Sequence, residues 1–300
     1  MNKAHIALLT SVVIWASTFA ATKLGLVEIA PITLAFLRFL IASFILVIAV
    51  WLTKQSKQLK NAFKQDTPFF LLLGLTGIAL MFILENFAIK FTSTSEAAII
   101  MNSDPILIAI LAYFFIGEKF NKYKVLGILL GFVGVLIVIF NKTDFASLIK
   151  TQSFLGNMLA LASSFAWAIY TIMIKKRVDK YGPTIVTTIA SIFGAIFLLI
   201  AMFLFEGLPN FGSYTMNSWL LVLYLGVIVS GLSFFLWNYA LKHFEASKVG
   251  MYWFLVPVIA VIIGISLFKE ELTAQMIIGT LLIFTGIYLT EKKATGANSI

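Results

Sequence analysis

The chain has 300 residues, of which 61% are hydrophobic and only 12% are charged. Soluble domains average roughly 45–50% apolar and 25% charged residues, so this composition excludes a water-soluble globular protein and predicts an integral membrane protein. The absence of cysteine excludes disulfides and thiolate metal sites. A formal charge of +9 would suggest a nucleic-acid partner in a soluble protein, but here we attribute it to membrane topology.

Ten segments are apolar over roughly the 17–25 residues that a membrane-spanning helix needs. They lie at residues 4–24, 32–52, 69–89, 96–116, 125–141, 154–174, 184–205, 218–240, 247–268 and 276–290. A linker at 142–153 separates the first five from the second five, and a polar tail at 291–300 follows the last. The first apolar run lacks a small-residue cleavage site, so we interpret it as a retained helix.

The basic residues predict the orientation of these spans. With a cytoplasmic N-terminus, 16 of the 22 lysines and arginines lie on the inner side and five on the outer side, and Arg38 lies inside a span. Because basic connectors favour the cytoplasm, we expect both termini to be cytoplasmic in the inner (plasma) membrane.

The two sets of five spans are copies of one another. Identical residues recur at a constant offset of 152 positions, and we call such residues matched. They include Trp15/Trp167, Lys23/Lys175, Pro31/Pro183, Asn86/Asn238, Ser95/Ser247, Pro105/Pro257, Glu118/Glu270, Gly127/Gly279 and Gly134/Gly286. Five spans per copy start the second copy on the opposite side of the membrane. The sequence therefore predicts an all-α fold of ten helices in two inverted repeats, residues 1–141 and 154–290.

Inverted repeats are a recurring plan of secondary transporters, with the substrate site near the midplane where the halves meet. The pattern therefore favours transport. The alternative is that duplication merely enlarged a bundle, as in some channels and membrane enzymes.

The first span carries a polar and aromatic stripe at steps of four, three and four residues, which places its members on one helical face: Ser11, Trp15, Thr18 and Thr22. The sixth span repeats the stripe with Ser163, Trp167 and Tyr170. Rings with polar tips suit a cavity for amphipathic or aromatic solutes. The alternative, an aromatic belt at the membrane surface, is weaker because Trp15 and Trp167 are near mid-span.

Three ionisable residues lie within the second, third and fourth spans: Arg38, Glu85 and Asp104. Charge is expensive in a bilayer, so each needs a partner or a water-filled cavity, and we expect a carboxylate partner for Arg38. Their matched residues are Ala190, Trp237 and Val256. Because the second copy folds without these charges, we favour a role in substrate or proton handling. The alternatives are an ion pair that fastens helices, or snorkelling to the interface.

Pro105 and Pro257 are predicted near the middle of the fourth and ninth spans, where a proline frees a backbone carbonyl. Their duplication favours a hinge or a cavity wall over a tolerated kink. Asn102 lies beside Pro105, and Tyr252 and Trp253 lie beside Pro257. We interpret Asn86 and Asn238 mainly as hydrogen-bonding links between helices, although both are within reach of a ligand.

The glycines of the fifth and tenth spans permit close helix packing, within the subunit or between the subunits of a homodimer. Glu118 and Glu270 are interpreted as interfacial caps with solvated charge. No phosphate-binding loop or hydrolase motif is present in the sequence, so we expect a solute or proton gradient, and not ATP, to drive movement.

Several segments resemble the EamA domain of the drug/metabolite transporter superfamily. In the first copy they are "WASTFAATKLG", "LAFLRFLIA" and "SDPILIAILAYFFIGEKFNKYKVLGILLGFVGVLIVI", and in the second "WAIYTIMIKK" and "VPVIAVIIGISLFKEELTAQMIIGTLLIFTGIYL". The resemblance implies a ten-helix fold with inverted five-helix repeats. It also implies a central cavity lined mainly by the first four helices of each copy, and small-metabolite transport, commonly efflux of amino acids or related compounds.

We therefore predict an exporter of small organic metabolites, such as amino acids or related amphipathic compounds, that works by alternating access. Its surroundings are lipid, protons are a candidate coupling ion, and we expect no metal, cofactor or nucleic acid. An importer or exchanger of the same fold is the alternative. A membrane-embedded enzyme or sensor is the competing class, but we find neither a convergent catalytic set nor a loop long enough for an output domain. The candidate substrate-binding residues are Trp15, Thr18, Arg38, Glu85, Asn102, Asp104, Trp167, Tyr170, Trp237, Asn238, Tyr252 and Trp253.

Overall fold

A computed structural model describes residues 2–92, 97, 100–140, 151–259, 262 and 273–291. These residues form helices and connecting turns, with no strand among them, which confirms the all-α prediction. Within this part, six helical runs are long and apolar enough to cross a membrane, at Lys3–Gly25, Pro31–Leu52, Ser56–Phe91, Phe154–Tyr181, Pro183–Phe205 and Met216–His243. Three shorter apolar helices lie at Asp104–Ile116, Ala246–Ile259 and Ala274–Thr290.

The first half contains seven α-helices and one π-helix among its described residues. They are α1 (Lys3–Ala16), α2 (Thr18–Gly25), α3 (Pro31–Leu52), α4 (Ser56–Gly74), π1 (Leu75–Leu80), α5 (Met81–Phe91), α6 (Asp104–Ile116) and α7 (Lys122–Phe140). The described second half contains α8 (Thr151–Tyr181), α9 (Pro183–Phe205), α10 (Met216–Tyr224), π2 (Leu225–Leu232), α11 (Ser233–His243), α12 (Ala246–Met251) and α13 (Ala274–Glu291), with 3₁₀ turns at Phe211–Ser213 and Tyr252–Phe254.

Matched prolines begin the most apolar helices of each half. Pro31 and Pro183 occupy the first turns of α3 and α9, where a missing N–H costs nothing and the fixed φ favours the helix. Glu206, at the end of α9, accepts hydrogen bonds of 2.8 Å from the backbone N–H groups of Ile32 and Thr33. The carboxylate thus caps α3 and joins the two halves.

The third and eighth predicted spans are each interrupted by a π-helix at matched positions. The predictions had continuous helices at 69–89 and 218–240, whereas π1 and π2 divide the observed runs. Mean hydropathy along a span does not distinguish an α-helix from a π-helix, because both can be apolar runs of the same length. π-helical turns are frequent at functional sites. Here π2 contacts Trp15 and Arg38, which line the central cavity described below, and π1 ends next to Met81, another lining residue.

Pro105 does not kink a continuous helix. Helix α6 begins at Asp104 with Ser103 as its N-cap, so Pro105 lies in the first turn, where no intrahelical hydrogen bond is lost. In the second half a 3₁₀ turn at Tyr252–Phe254 precedes Pro257. The α-helix is therefore interrupted just before each proline.

Helices α7 and α13 pack antiparallel through matched glycines. A Cβ on Gly127 would lie 2.5 Å from the carbonyl oxygen of Gly286, and one on Gly134 would lie 2.6 Å from that of Gly279. The predicted small faces are therefore filled within one chain. A homodimer through these helices, which stays a prediction, would have to use their exposed faces instead.

Glu118 differs from its predicted role as a solvated charge. Its carboxylate accepts hydrogen bonds from the N–H groups of Ala246 and Ser247, at 2.6 and 3.2 Å, and from the Ser247 hydroxyl. Lys124 Nζ lies 3.4 Å away, and both side chains are buried. The free N–H groups at the start of α12 attract this carboxylate out of water.

Some sequence predictions lie outside the described residues. They concern Ser95, Glu270, most of the linker, and the tail after Glu291. At its described end the linker is helical from Thr151, where α8 begins.

Candidate central cavity

A buried cavity lies between the two halves. It is lined by Trp15, Thr18, Arg38, Met81, Phe82, Glu85, Met101, Asp104, Ser163, Ser164, Trp167, Phe234 and Trp253. Its solvent-accessible volume is about 30 Å³, which is room for about two water molecules. In this conformation the cavity is therefore too small for a metabolite.

Aromatic rings form one side of the cavity. The ring of Trp15 lies 5.4 Å from those of both Trp167 and Trp253, and 5.5 Å from that of Phe234. Its indole Nε1 donates a 3.2 Å hydrogen bond to the carbonyl oxygen of Val229 in π2. This hydrogen bond fixes the orientation of the Trp15 ring against the second half.

Both copies contribute matched side chains to the lining. Trp15 and Trp167 are matched, and so are Phe82 and Phe234. The third matched pair, Met101 and Trp253, pairs a flexible thioether with a ring. The aromatic part of the cavity is therefore nearly symmetric between the halves.

The ionisable part of the cavity belongs to the first half alone. Arg38 is buried, and its Nε donates a 2.8 Å hydrogen bond to Ser230 Oγ in π2. Its guanidinium carbon lies 4.4 Å from the centre of the Phe82 ring, a cation–π contact. Nη1 has no hydrogen-bond partner among the described residues.

Arg38 therefore has a hydroxyl and a ring as its near contacts, and not the carboxylate that we predicted. Within the described chain no ion pair shorter than 4 Å includes Arg38. Glu85 is close enough for the opposite charges to interact. A buried guanidinium needs hydrogen-bond partners, and Ser230 provides one. Because Ser230 belongs to the second half, this contact also links α3 to that half.

Asp104 and Glu85 add two buried carboxyl groups to the lining. Asp104 Oδ1 has no hydrogen-bond partner in the described part of the chain. Ser163 Oγ, in contrast, donates to the Met81 carbonyl oxygen at 3.1 Å. Unsatisfied buried polar atoms are costly, and both Arg38 and Asp104 are among the residues that line the cavity.

Seven of the twelve predicted binding residues line the cavity: Trp15, Thr18, Arg38, Glu85, Asp104, Trp167 and Trp253. The other five are buried outside the lining: Asn102, Tyr170, Trp237, Asn238 and Tyr252. Tyr170 stacks on Trp167 at 5.2 Å. Asn238 Nδ2 donates to Thr187 Oγ1 at 2.8 Å and to the Tyr170 hydroxyl at 3.3 Å, as expected for a link between helices.

Other lining residues were missed by the sequence predictions. Phe82, Phe234 and Met101 were not proposed, although the 152-residue offset pairs each with another lining residue. Met81 and Ser164 carry no comparable signal in the sequence. Among the described residues, no three His, Asp or Glu side chains converge as metal ligands.

Comparison with known proteins places these features in context. The model of the EamA-like transporter family matches the chain twice, over residues 2–140 and 154–291. An uncharacterized transporter of Archaeoglobus fulgidus is 29% identical over 97% of this chain and 98% of its own. The uncharacterized transporter YetK of Bacillus subtilis is 31% identical over 96% of this chain and 86% of its own. A crystal structure with 21% identity superposes with a TM-score of 0.79, covering 95% of both chains.

Proposed function

Because the chain belongs to the EamA-like transporter family, which matches both of its halves, we propose that it exports small organic metabolites by alternating access. The solutes are amino acids or related amphipathic compounds, and the membrane is the inner (plasma) membrane. The observation that carries this proposal is the buried cavity, in which matched rings face Arg38, Glu85 and Asp104.

The architecture that we propose is ten spans in two inverted five-helix repeats, with both termini cytoplasmic. Reciprocal contacts support it: a Cβ on Gly74 would lie 2.6 Å from Phe193 Cβ, and one on Gly226 would lie 2.7 Å from Ile41 Cβ. Ile41 and Phe193 are matched, as are the two glycines. Contacts that recur with the partners exchanged are typical of a two-fold relation.

The cavity suits a solute that is partly apolar and partly charged. Rings around Trp15 offer an apolar and polarizable wall, while Arg38 and the two carboxyl groups offer polar contacts for ionic head groups. The site takes about two waters in this conformation, so the halves must move apart to admit a metabolite. Movement about a fixed site exposes it to each side in turn, and the carboxyl groups of Glu85 and Asp104 are the proposed proton carriers.

An export profile tests this function. Cells expressing the wild type are compared with cells expressing Trp167→Ala, which opens the ring cluster, and Trp51→Ala, a control that removes an indole 70% exposed on the outside of the protein. We expect the wild type and the control to release the same subset of metabolites, and Trp167→Ala to release at least tenfold less. Equal release by the wild type and an empty vector would contradict the proposal.

Proteoliposomes then test direction and coupling with the metabolites so identified. A rate of outward transport that rises when an imposed gradient drives protons inward supports solute–proton exchange. A rate that does not change with the imposed pH gradient would leave the solute's own gradient as the driving force.

A further inference from the structure

The connector between α3 and the membrane-spanning part of α4 is a separate basic helix. Residues 56–65 form the first turns of α4, and Asp66 then breaks the helix with φ −131° and ψ 29°. Lys54, just before the helix, has a positive φ of 57°. The helical segment is therefore bounded by a non-helical residue at each end. The break at Asp66 means that its side chains do not continue the helical faces of the span that follows.

The sides of this short helix have three different chemistries. At 100° per residue, Lys57, Lys60 and Lys64 fall within a 60° arc. Ala62 is buried and Phe63 packs on Phe193, with ring centres 5.6 Å apart, so the second arc faces the protein. The third arc carries the amides Gln58, Asn61 and Gln65.

The lysine arc is free of protein partners. Lys54, Lys57, Lys60 and Lys64 are exposed, and none of their side chains forms an ion pair with a described residue. No acidic residue lies between positions 54 and 65. Four uncompensated positive charges within about three helical turns repel one another, so this segment attracts an anionic partner.

The position of the segment places the charges at the membrane interface. Helix α3 ends in Trp51 and Leu52, which are 70% and 66% exposed. Exposed tryptophan at the end of a span lies at the level of lipid head groups. Lys54 follows Leu52 by two residues and Lys57 follows it by five, so the lysine arc begins at this level.

The second half provides an internal control. The residues matched to Lys54, Lys57, Lys60 and Lys64 are Glu206, Pro209, Gly212 and Met216. The fold therefore forms this connector without positive charge. The lysines are a property of one connector only, which the proposed topology places on the cytoplasmic side.

We propose that the lysine arc of residues 54–64 binds the phosphate groups of anionic phospholipids in the inner leaflet. The inference rests on the proposed orientation. The amide arc adjoins a polar pocket of about 570 Å³, whose charged lining residues are Lys180, Lys242 and Asp179. The pocket has room for the polar part of a head group, and its two lysines outnumber its one carboxylate. Each lysine near an anionic surface contributes about fivefold to the binding constant.

Native mass spectrometry of the whole, delipidated protein in uncharged detergent tests this. Phosphatidylglycerol is titrated against phosphatidylcholine for the wild type, for K57Q/K60Q/K64Q, and for K119Q/K122Q/K176Q. The last is a matched control that removes three exposed lysines from the same proposed side. We expect the wild type and the control to prefer phosphatidylglycerol, and K57Q/K60Q/K64Q to bind it about 100-fold more weakly.

Equal weakening in both triple variants would overturn the proposal, because any surface charge would then suffice. No preference of the wild type for phosphatidylglycerol would overturn it as well. Inorganic phosphate at equal concentration distinguishes a free anion from a lipid: displacement of the lipid by phosphate would assign the surface to the soluble anion. The readout is lipid binding and not transport, so its failure and a failure of the transport proposal are separate results.

Discussion

Glu28 accepts a 2.7 Å hydrogen bond from the Ser218 hydroxyl, and the residues matched to this pair, Lys180 and Asp66, are also in contact, at 3.2 Å. Each contact joins one half to the other. The chemistry differs between them, since the first is a carboxylate with neutral donors and the second is an ion pair that Arg177 and Tyr181 extend. The duplicated fold therefore retains the place of the contact while its residues have changed.

Glu28 gives a prediction about pH. The backbone N–H of Thr215, followed by the Ser218 hydroxyl, lowers the pKa of Glu28 below its ordinary value. A group whose pKa is lowered by folding stabilises the protein above its unfolded pKa of about 4.3, and this contribution is lost as the pH falls through the folded pKa. We expect Glu28→Gln to lower the Tm in detergent at pH 7, and the difference from the wild type to shrink as the pH falls below about 4.

Asp179→Asn is the control for this experiment, because Asp179 is an exposed carboxylate elsewhere on the protein. Other acidic groups titrate in the wild type and in both variants, so they cancel in the differences. A Tm difference for Glu28→Gln that stays constant from pH 7 to pH 3 would show that the hydrogen bonds do not depend on the charge.

The glycine contact between α7 and α13 predicts a cost for a single methyl group. Gly127→Ala would gain about 0.5–1 kcal/mol from helix propensity, but the new Cβ meets the Gly286 carbonyl oxygen at 2.5 Å. Overpacking against a backbone typically costs about 1–3 kcal/mol. We expect a net loss of about 1–2 kcal/mol in unfolding free energy, measured by denaturant titration in micelles.

Val133→Leu adds volume on the exposed face of the same helix and serves as the control. It should change the unfolding free energy by less than about 0.5 kcal/mol. If Gly127→Ala is as stable as this control, the two helices are not in the close contact described.

Glu118 and Glu245 both contact Lys124, but their surroundings predict very different effects. The Glu118 side chain is 7% exposed and accepts three hydrogen bonds from the start of α12, whereas Glu245 is 62% exposed. Glu118→Ala leaves the buried donors at the start of α12 without their acceptor and removes one of the two carboxylates beside Lys124, which costs about 3 kcal/mol. Glu245→Ala should cost less than about 1 kcal/mol. Unfolding free energies of the two variants check this, and equal values would refute it.

Asp104 predicts a change in the pH dependence of transport. Its carboxyl group lines the cavity, and Oδ1 is unpaired among the described residues, so it is available to a proton or a solute. Asp104→Asn preserves size but removes titration, and we expect a flatter rate–pH profile in proteoliposomes. Asp179→Asn should leave the profile unchanged. An unchanged profile for Asp104→Asn would remove this residue from coupling.

The sequence was sufficient for features that depend on repetition and residue depth. The constant offset predicted that Trp15 and Trp167 lie together, and their rings are 5.4 Å apart. The same offset matches Phe82 with Phe234, but apolar pairs alone are weak signals in an apolar chain and do not predict a cavity contact. The glycine faces of the fifth and tenth spans followed from the same offset.

Features that depend on contacts between the halves were not predictable. Spacing along a helix gives the face of Arg38 but not its neighbour, so Ser230 could not be chosen over a carboxylate. Trp237 and Asn238 are buried but do not line the cavity. The sequence does not reveal which buried polar or aromatic side chains face a cavity and which pack behind its wall. Neither π-helix was predicted, since the pattern of apolar residues in the sequence does not show a local change in backbone hydrogen bonding.

The small size of the central cavity has a practical consequence for ligand discovery. The cavity of this conformer has room for about two water molecules, so virtual screening by rigid docking would reject every larger solute. Screening should instead use conformers in which the indoles of Trp15 and Trp253 have separated.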